Sequence, residues 1–282
     1  MRGLAFAICC ALMSSVRMTA APLVTYIGLP GSGIELAPAS SAEFTAALNA
    51  SIDSSLLPLL QHLLPFGAIV RNGTSERLIL VAVRFYLKGP DGRTAASDMS
   101  LQTSANPNMN TLGPGAQVLI TPGGGARVLG PRSGSGGGGR SVGSPKILAD
   151  RAELYGRQAE IDVALDCVIF ADGGVIGPDA GRHMDDLNGL NRAKSAITSD
   201  ALDRSGPAIR EYLLAMADAP IPQATASEQG DRVEERIVSL GRTYARMLLT
   251  RLDSCKTEGE FRDFLQQLVK SQTSTPVFKR RQ

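Results

Sequence analysis

An alternation of apolar and polar residues between positions 158 and 170 limits the fold of this chain more than any other feature. The odd positions are all apolar: Ile161, Val163, Leu165, Cys167 and Ile169. The first even positions are acidic, Glu160 and Asp162. Side chains of a β-strand point alternately to the two faces of a sheet, so this pattern predicts a strand with one buried face. A strand needs partner strands, and the fold must therefore contain a β-sheet.

Segments earlier in the chain share this period of two. They are residues 66–70, 79–87, 94–102 and 116–120. Residues 72–76 and 88–93 have the composition of turns, so the first two runs are predicted to form an antiparallel hairpin. Short strands with turns at close intervals favour an antiparallel β-sandwich with an immunoglobulin- or fibronectin-like texture. We expect this domain to span residues 41–180.

Helical periodicity flanks the predicted sandwich. A short amphipathic helix is predicted from Ser41, and residues 181–272 follow helical stripes. One stripe steps by four and three residues along a seam: Val233, Ile237, Leu240, Tyr244 and Met247. Thr257 and Glu260 form a capping-box start for the last helix. The predicted fold class is therefore α+β, with a helical C-terminal region after the sandwich.

Three segments are predicted to lack regular structure. Residues 22–40 contain Pro and Gly without a sustained period, which predicts an extended N-terminal arm. Residues 122–145 hold ten glycines in 24 positions. Glycine at this density predicts a disordered insertion within the β-domain. Residues 273–282 are predicted to form a disordered basic tail.

The first 21 residues are predicted to be a secretory signal peptide. Arg2 precedes an apolar run from Leu4 to Met13, and small residues follow it. This run is too short for a bilayer, which needs about 20 apolar residues, so no permanent membrane span is expected. We expect cleavage near Ala20–Ala21 and a location outside the cytoplasm, either secreted or periplasmic.

Charge and cysteine content exclude several classes of function. The chain has 29 Lys plus Arg and 27 Asp plus Glu, and loss of Arg2 and Arg17 with the signal peptide leaves it formally neutral. Nucleic-acid surfaces need clustered positive charge, so no nucleic-acid partner is expected. Cys167 and Cys255 are a candidate disulfide pair for an oxidising compartment. The two histidines lack paired spacing, so neither a metal site nor a cofactor is expected.

Acidic side chains are the candidate catalytic groups. Glu160, Asp162 and Asp166 share one face of the predicted strand, with neighbouring positions about 7 Å apart. Two carboxylates at such a spacing can act as acid and nucleophile in glycoside hydrolysis. Alternating acids are also common on the solvent-exposed face of a half-buried strand. A catalytic pair and a solvent-exposed face therefore both stay open as interpretations.

Residues 167–183 join this strand to the helical region. Asp172 and Gly173 form an Asp-Gly pair typical of tight turns, and Asp179 is placed to cap the first C-terminal helix. His183 is a candidate base beside Asp179. Catalysis and, for the two aspartates, cation binding are the alternatives, although neither a nucleophile motif nor calcium-loop spacing accompanies these residues.

The lack of an assembled catalytic set decides the functional prediction. We expect a secreted or periplasmic, non-catalytic binding or structural module, with a protein or a cell-envelope component as its partner. The alternative is an extracytoplasmic hydrolase whose candidate residues are Asp166, Asp172, Asp179 and His183. In a third hypothesis the C-terminal helices dock on a partner and the sandwich is their platform. Whether the chain is an enzyme stays open at this point.

Overall fold

The chain folds into two β-sheets and a set of helices. The computed structural model describes residues 21–51, 57–103, 112–122, 125–129, 144–222 and 229–281. Its strands are β1 (Leu23–Ile27), β2 (Ile34–Pro38), β3 (Ala68–Asn72), β4 (Leu78–Lys88), β5 (Thr94–Gln102), β6 (Gln117–Thr121), β7 (Gly125–Leu129), β8 (Glu160–Phe170), β9 (Gly174–Ile176) and β10 (Lys279–Arg280). Its helices are α1 (Ala42–Ser51), α2 (Leu57–Leu60), α3 (Pro145–Gly156), α4 (His183–Leu202), α5 (Pro207–Ala217), α6 (Gln229–Ser254) and α7 (Glu258–Thr273), with a 3₁₀ turn at Leu64–Phe66. The predicted α+β class is confirmed.

The larger sheet is built around β4 and β8, which pair antiparallel along most of their length. Its order is β10-β9-β8-β4-β5, and β1 lies parallel to the first half of β8. The strand predicted from the alternation is β8: Ile161 and Val163 are buried, whereas Glu160 is exposed. The clearest periodic signal in the sequence is thus an inner strand of this sheet.

The smaller sheet has the order β2-β3-β6-β7 and is antiparallel throughout. Side chains from both sheets enter one hydrophobic core, with Ile69 and Ile120 from the smaller sheet and Phe85 and Val163 from the larger. Two pairs in the larger sheet, β1 with β8 and β9 with β10, are parallel. The immunoglobulin- or fibronectin-like texture stays a prediction.

The predicted hairpin between the first two strand-like runs is wrong. β3 pairs with β2 and β6 in the smaller sheet, whereas β4 pairs with β5 and β8 in the larger. The turn between them crosses from one sheet to the other and is held by Asn72. Its Nδ2 donates to the carbonyl oxygens of Glu76, Leu112 and Gly113 at 2.7–3.0 Å. Periodicity identifies a strand, but the sheet it joins is decided by such remote contacts.

Both terminal segments predicted to be irregular, residues 22–40 and 273–282, contain strands. β1 and β2 lie within the predicted arm, residues 22–40, and each joins one sheet. β10 lies within the predicted disordered tail, residues 273–282, and Phe278 before it is 4% exposed. Within the Gly-rich segment residues 125–129 form β7, whereas residues 130–143 lie outside the described residues. Short strands obtain their conformation from partners distant in sequence, which local pattern does not reveal.

The C-terminal helices α4 to α7 build a separate hydrophobic core. It includes Ile197 of α4, Leu213 of α5, Tyr244 and Leu248 of α6, and Phe261 of α7. Within the described ranges no helix has the length and apolar character needed to cross a bilayer. The predicted signal peptide lies outside the described residues, apart from Ala21.

The seam predicted along α6 is buried only in part. Val233 and Tyr244 are buried, but Leu240 and Met247 are 43% and 44% exposed. A straight helix drifts by about 20° per heptad relative to a strict seven-residue repeat. The buried face therefore continues through Leu248 and leaves Leu240 and Met247 on the outer side.

Candidate functional site at the strand-to-helix junction

A β-bulge in β8 brings the side chains of Asp166 and Cys167 to the same group of residues. Ala82 of β4 lies opposite Cys167 and the next residue, Val83, lies opposite Leu165, so Asp166 is an extra residue in β8. Adjacent side chains of a regular strand point to opposite faces, and a bulge alters this locally. Both side chains consequently reach one buried cluster.

The junction cluster consists of Asp166, Cys167, Asp179 and His183. One carboxylate oxygen of each aspartate and the thiol sulfur all lie within 4.8 Å of one another, and the three residues are buried. His183 lies beside them, with its Nε2 atom 3.9 Å from Oδ2 of Asp166. The fold thus brings together three of the four candidate residues predicted from the sequence and adds a cysteine.

The Asp166 carboxylate is 1% exposed and binds the loop that precedes α4. Its Oδ1 accepts a hydrogen bond from the Ala180 amide at 2.8 Å, and its Oδ2 accepts one from the Gly181 amide at 2.9 Å. Bonds between a carboxylate and main-chain amides are among the stronger hydrogen bonds in proteins. A Cβ atom at position 181 would lie only 2.6 Å from Nε2 of His183, so a larger residue there would displace the His183 ring.

Asp179 caps the first turn of α4. Its Oδ1 accepts from the His183 amide at 2.7 Å and its Oδ2 from the Met184 amide at 3.2 Å. Its own amide donates to the carbonyl oxygen of Asp166 at 3.1 Å, which joins the cap to the bulge. The residue has a φ of 52°, a left-handed conformation that aspartate tolerates better than most residues. The cap predicted from the sequence is confirmed.

The Cys167 thiol is held in its protonated form. Burial raises the pKa of this thiol well above its ordinary value, and the negative charges of Asp179 and Asp166 raise it further. The thiol also hydrogen-bonds to the Asp179 carboxylate, for which it is the donor. Cysteine reactivity requires the thiolate, so the thiol in this environment does not act as a nucleophile.

The Nε2 atom of His183 is a buried polar atom without a hydrogen-bond partner. The residue is 8% exposed, and its Nε2 faces the Asp166 carboxylate at a distance beyond hydrogen-bond range. Nearly all buried polar atoms in folded proteins are hydrogen-bonded, and an exception needs a specific explanation.

Asp172 lies apart from the junction cluster. Its Oδ1 accepts from the Gly174 amide at 2.8 Å and contacts Arg281 at 2.9 Å. Arg281 also binds Glu76 through both guanidinium nitrogens, at 2.7 and 2.6 Å, and stacks 3.8 Å above the Phe170 ring. The Gly174 amide and then Arg281 lower the pKa of Asp172, and Arg281 lowers the pKa of Glu76. Asp172 belongs to a surface charge cluster that ties the C-terminal strand to the sheet.

The acids of β8 do not form a row on one accessible face. Glu160 pairs with Lys88 at 2.9 Å at the start of the strand, and Asp162 lies opposite Tyr86. The bulge places Asp166 in the buried cluster instead. Asp166 therefore does not share an accessible face with Glu160 and Asp162, contrary to what the alternation of the strand predicts.

The structure does not contain the candidate disulfide bridge between Cys167 and Cys255. Both thiols are free. Cys167 packs between the larger sheet and α4, whereas Cys255 follows α6 and packs against the separate core of the helices. The two hydrophobic clusters keep the cysteines apart.

Sequence reasoning missed the part that Cys167 plays in the cluster. The alternation assigns Cys167 to the buried face and Asp166 to the wet face, and no local pattern reveals a bulge. One signal was present: Asp166 is a single acid in a stretch, Ala164 to Phe170, whose other residues are all apolar. An acid in such surroundings predicts a buried carboxylate with specific partners.

A surface hollow of about 620 Å³ lies elsewhere, beside the turn between β4 and β5. Leu87, Pro90, Arg93 and Arg157 are among its lining residues, and no member of the junction cluster is. The junction cluster is thus a packed group of buried side chains and not the floor of this hollow.

Comparison of the chain with protein-family models, with curated proteins and with solved structures finds no match. Its function is therefore argued from its own residues.

Proposed function

We propose that this chain is a non-catalytic binding or structural module that works outside the cytoplasm. The observation that supports this best is that every oxygen of the Asp166 and Asp179 carboxylates accepts a main-chain hydrogen bond. A catalytic acid or base must come within hydrogen-bond reach of a substrate proton. Carboxylates that are 1% and 6% exposed and already bound to the protein's own amides are suited to fixing a loop and a helix start.

The proposed location rests on the first 21 residues. A basic residue, an apolar run of about ten residues and a small-residue site follow one another in the order of a secretory signal peptide. The neutral charge of the remaining chain fits a protein that does not bind nucleic acid.

The proposed platform is a β-sandwich of immunoglobulin- or fibronectin-like texture, followed by helices. It is supported by the common core of the two sheets, to which Phe85 and Ile120 contribute from opposite sides. Leu240 and Met247 are exposed apolar residues, seven positions apart on the outer side of α6. They support the proposal that the helices form the surface that binds a protein or cell-envelope partner.

Turnover assays test the non-catalytic function. The purified chain is incubated with glycosides, carboxylic esters, phosphate esters and peptides, together with the Asp166→Asn and Asp172→Asn variants. We expect no turnover that depends on either residue. Asp162→Asn is the matched control, because Asp162 lies on the same strand outside the junction cluster.

The proposal fails if turnover is lost in Asp166→Asn or Asp172→Asn and kept in Asp162→Asn, with unchanged circular dichroism in all variants. That result would establish the hydrolase alternative.

Fractionation of a Gram-negative host that expresses the full chain tests the location. We expect a periplasmic product whose N-terminus, measured by mass spectrometry, lies near Ala21. Ala11→Arg places a charge in the apolar run and should retain the precursor in the cytoplasm, whereas Thr19→Ser should be processed. An unprocessed wild-type chain in the cytoplasm would contradict the proposal.

A further inference from the structure

We propose that the junction cluster binds a Zn²⁺ ion through Asp166, Cys167, Asp179 and His183. Zinc binds thiolate, imidazole and carboxylate ligands, and four protein ligands are typical of a closed structural site. The ion would join β8 to the start of α4. The inference goes beyond the proposed function and does not depend on it.

The first observation is the spacing of the donor atoms. The Asp166 and Asp179 carboxylates and the Cys167 sulfur lie within 4.8 Å of one another, and all three residues are buried. Zinc bonds of about 2.0–2.3 Å place tetrahedral ligands about 3.3–3.8 Å from one another. Movements of about 1 Å would bring these three donor atoms to such separations.

The second observation is the free nitrogen of His183. Its Nε2 atom is buried without a hydrogen-bond partner and lies 3.9 Å from Oδ2 of Asp166. This distance is close to the separation of two ligands on one zinc ion. Metal binding explains a buried imidazole nitrogen that faces a carboxylate and has no hydrogen-bond partner among the described protein groups.

The third observation is the charge of the cluster. Among the described residues, neither aspartate forms an ion pair with a lysine or arginine. The nearby Arg280 donates to the carbonyl oxygens of Gly177 and Pro178, and Arg236 pairs with Asp186. Burial of a carboxylate without a cationic partner is unfavourable. A divalent cation would offset the charge of the two carboxylates, and with the Cys167 thiolate the occupied site would carry a net charge of −1.

The main-chain bonds to the carboxylates are compatible with a metal. Each carboxylate has about four lone-pair positions, and the two amide bonds occupy only half of them. The amides of Ala180, Gly181, His183 and Met184 would then be the outer partners that orient the ligands. On binding, the Cys167 S–H bond breaks, its electron pair forms the Zn–S bond and the proton leaves to the buffer.

Metal titration of the purified full chain tests this site. Metal is removed with a chelator and Zn²⁺ alone is added. Bound zinc is then measured by inductively coupled plasma mass spectrometry. We expect one ion per chain and a higher Tm with zinc. Co²⁺ in its place should give the ultraviolet thiolate-to-cobalt absorption band, which tests the thiolate in the wild-type protein without any substitution.

Variants assign the ligands. Cys167→Ser should remove the thiolate band, and His183→Gln should weaken zinc binding by more than the about 10–100-fold typical of an outer partner. Cys255→Ser and His62→Gln are the matched controls and should bind zinc like the wild type. The site is refuted if zinc is not bound, if the cobalt band is absent, or if only Ca²⁺ or Mg²⁺ raises the Tm. It is equally refuted if both ligand variants bind zinc like the controls.

Discussion

Gly177 shows how a single residue holds the junction together. Its φ is +112°, and a Cβ atom built on it would overlap the carbonyl oxygen of Asp166 and lie 3.0 Å from Cα of Cys167. The same carbonyl accepts a hydrogen bond from Asp179. The backbone at position 177 therefore passes so close to the bulge that only glycine fits.

Gly177→Ala should be strongly destabilising. We expect the free energy of unfolding to fall by about 2–4 kcal/mol, because the substitution adds backbone strain and a steric overlap. Gly92→Ala is the matched control: Gly92 has a φ of +79° with no heavy atom near the added Cβ, so strain alone should cost about 1 kcal/mol. Urea unfolding of both variants measures the difference, and equal losses would contradict the close packing at Gly177.

Arg281→Gln should destabilise the protein most at neutral pH. The Gly174 amide and then Arg281 lower the pKa of Asp172 below its ordinary value of 3.8, and Arg281 lowers the pKa of Glu76 below 4.5. A carboxyl group with a lowered folded-state pKa stabilises the fold above its unfolded-state pKa, and this contribution is lost as the pH falls through the folded-state value. We expect a Tm about 2–4 °C below wild type at pH 7 and a smaller difference at pH 3.

Arg280→Gln is the control for this pH dependence. Arg280 donates to the carbonyl oxygens of Gly177 and Pro178, which do not titrate. Its Tm difference from wild type should therefore change less between pH 7 and pH 3 than that of Arg281→Gln. Parallel pH profiles for the two variants would show that Arg281 does not act through the carboxylates.

At the scale of the elements, local contacts set the helix ends, whereas pairing with remote strands sets the strand registers. In α7, the hydroxyl of Thr257 accepts from the Glu260 amide at 3.2 Å, while the Glu260 carboxylate accepts from the Lys256 amide at 2.9 Å. Both bonds are local, and the Thr–Glu spacing predicts the bond from the Glu260 amide to Thr257. The Glu260 carboxylate binds the amide before the cap residue instead of the Thr257 amide of a regular capping box. The bulge at Asp166 depends on the pairing of β8 with β4, and the sequence of β8 alone does not predict it.

Thr257→Ala should lower the free energy of unfolding by about 1 kcal/mol, because the Glu260 amide loses its partner. Thr250→Ala is the matched control, since the exposed Thr250 lies inside α6 and its hydroxyl only donates to the Arg246 carbonyl. We expect the control to be neutral within about 0.5 kcal/mol. Urea unfolding gives both values, and a neutral Thr257→Ala would show that the cap does not stabilise α7.

At the scale of the whole molecule, the C-terminal strand connects the larger sheet to the helices. β10 pairs with β9, and Phe278 packs into the core between sheet and α4. Asn188 of α4 binds both main-chain polar groups of Phe278: its Nδ2 donates to the carbonyl at 2.9 Å and its Oδ1 accepts from the amide at 3.0 Å. The end of the chain thus fixes α4, and with it the junction cluster, against the sheet.

Phe278→Ala should lower the free energy of unfolding by about 3–5 kcal/mol, because it leaves a cavity between the sheet and α4. Val277→Ala is the matched control, since the neighbouring Val277 is 76% exposed and its truncation should cost less than about 0.5 kcal/mol. Guanidinium unfolding compares the two. A small effect of Phe278→Ala would mean that the last strand is not part of the cooperative fold.

Local sequence predicted those features that local interactions determine. The alternation from Ile161 to Ile169 gave β8, the Asp172–Gly173 pair gave the turn into β9, and Asp179 gave the cap of α4. Each of these features depends on groups within a few residues of one another, so the order of the residues is enough to predict it. Strands β1 and β10 lacked such a signal, because their backbone groups bond to strands remote in sequence.

The candidate site was predictable as a list of residues and not as an arrangement. The sequence identifies Asp166, Asp179 and His183 as candidates, but it also groups Asp172 with them and leaves Cys167 out. Sequence by itself determined the α+β class, the inner strand β8 and the helix caps. Helix and strand propensity, hydrophobic periodicity and capping all depend on residues that are close together in the sequence. The tertiary structure alone decided which strands pair, where β8 bulges and which side chains converge, because register depends on contacts that close only when the chain is folded.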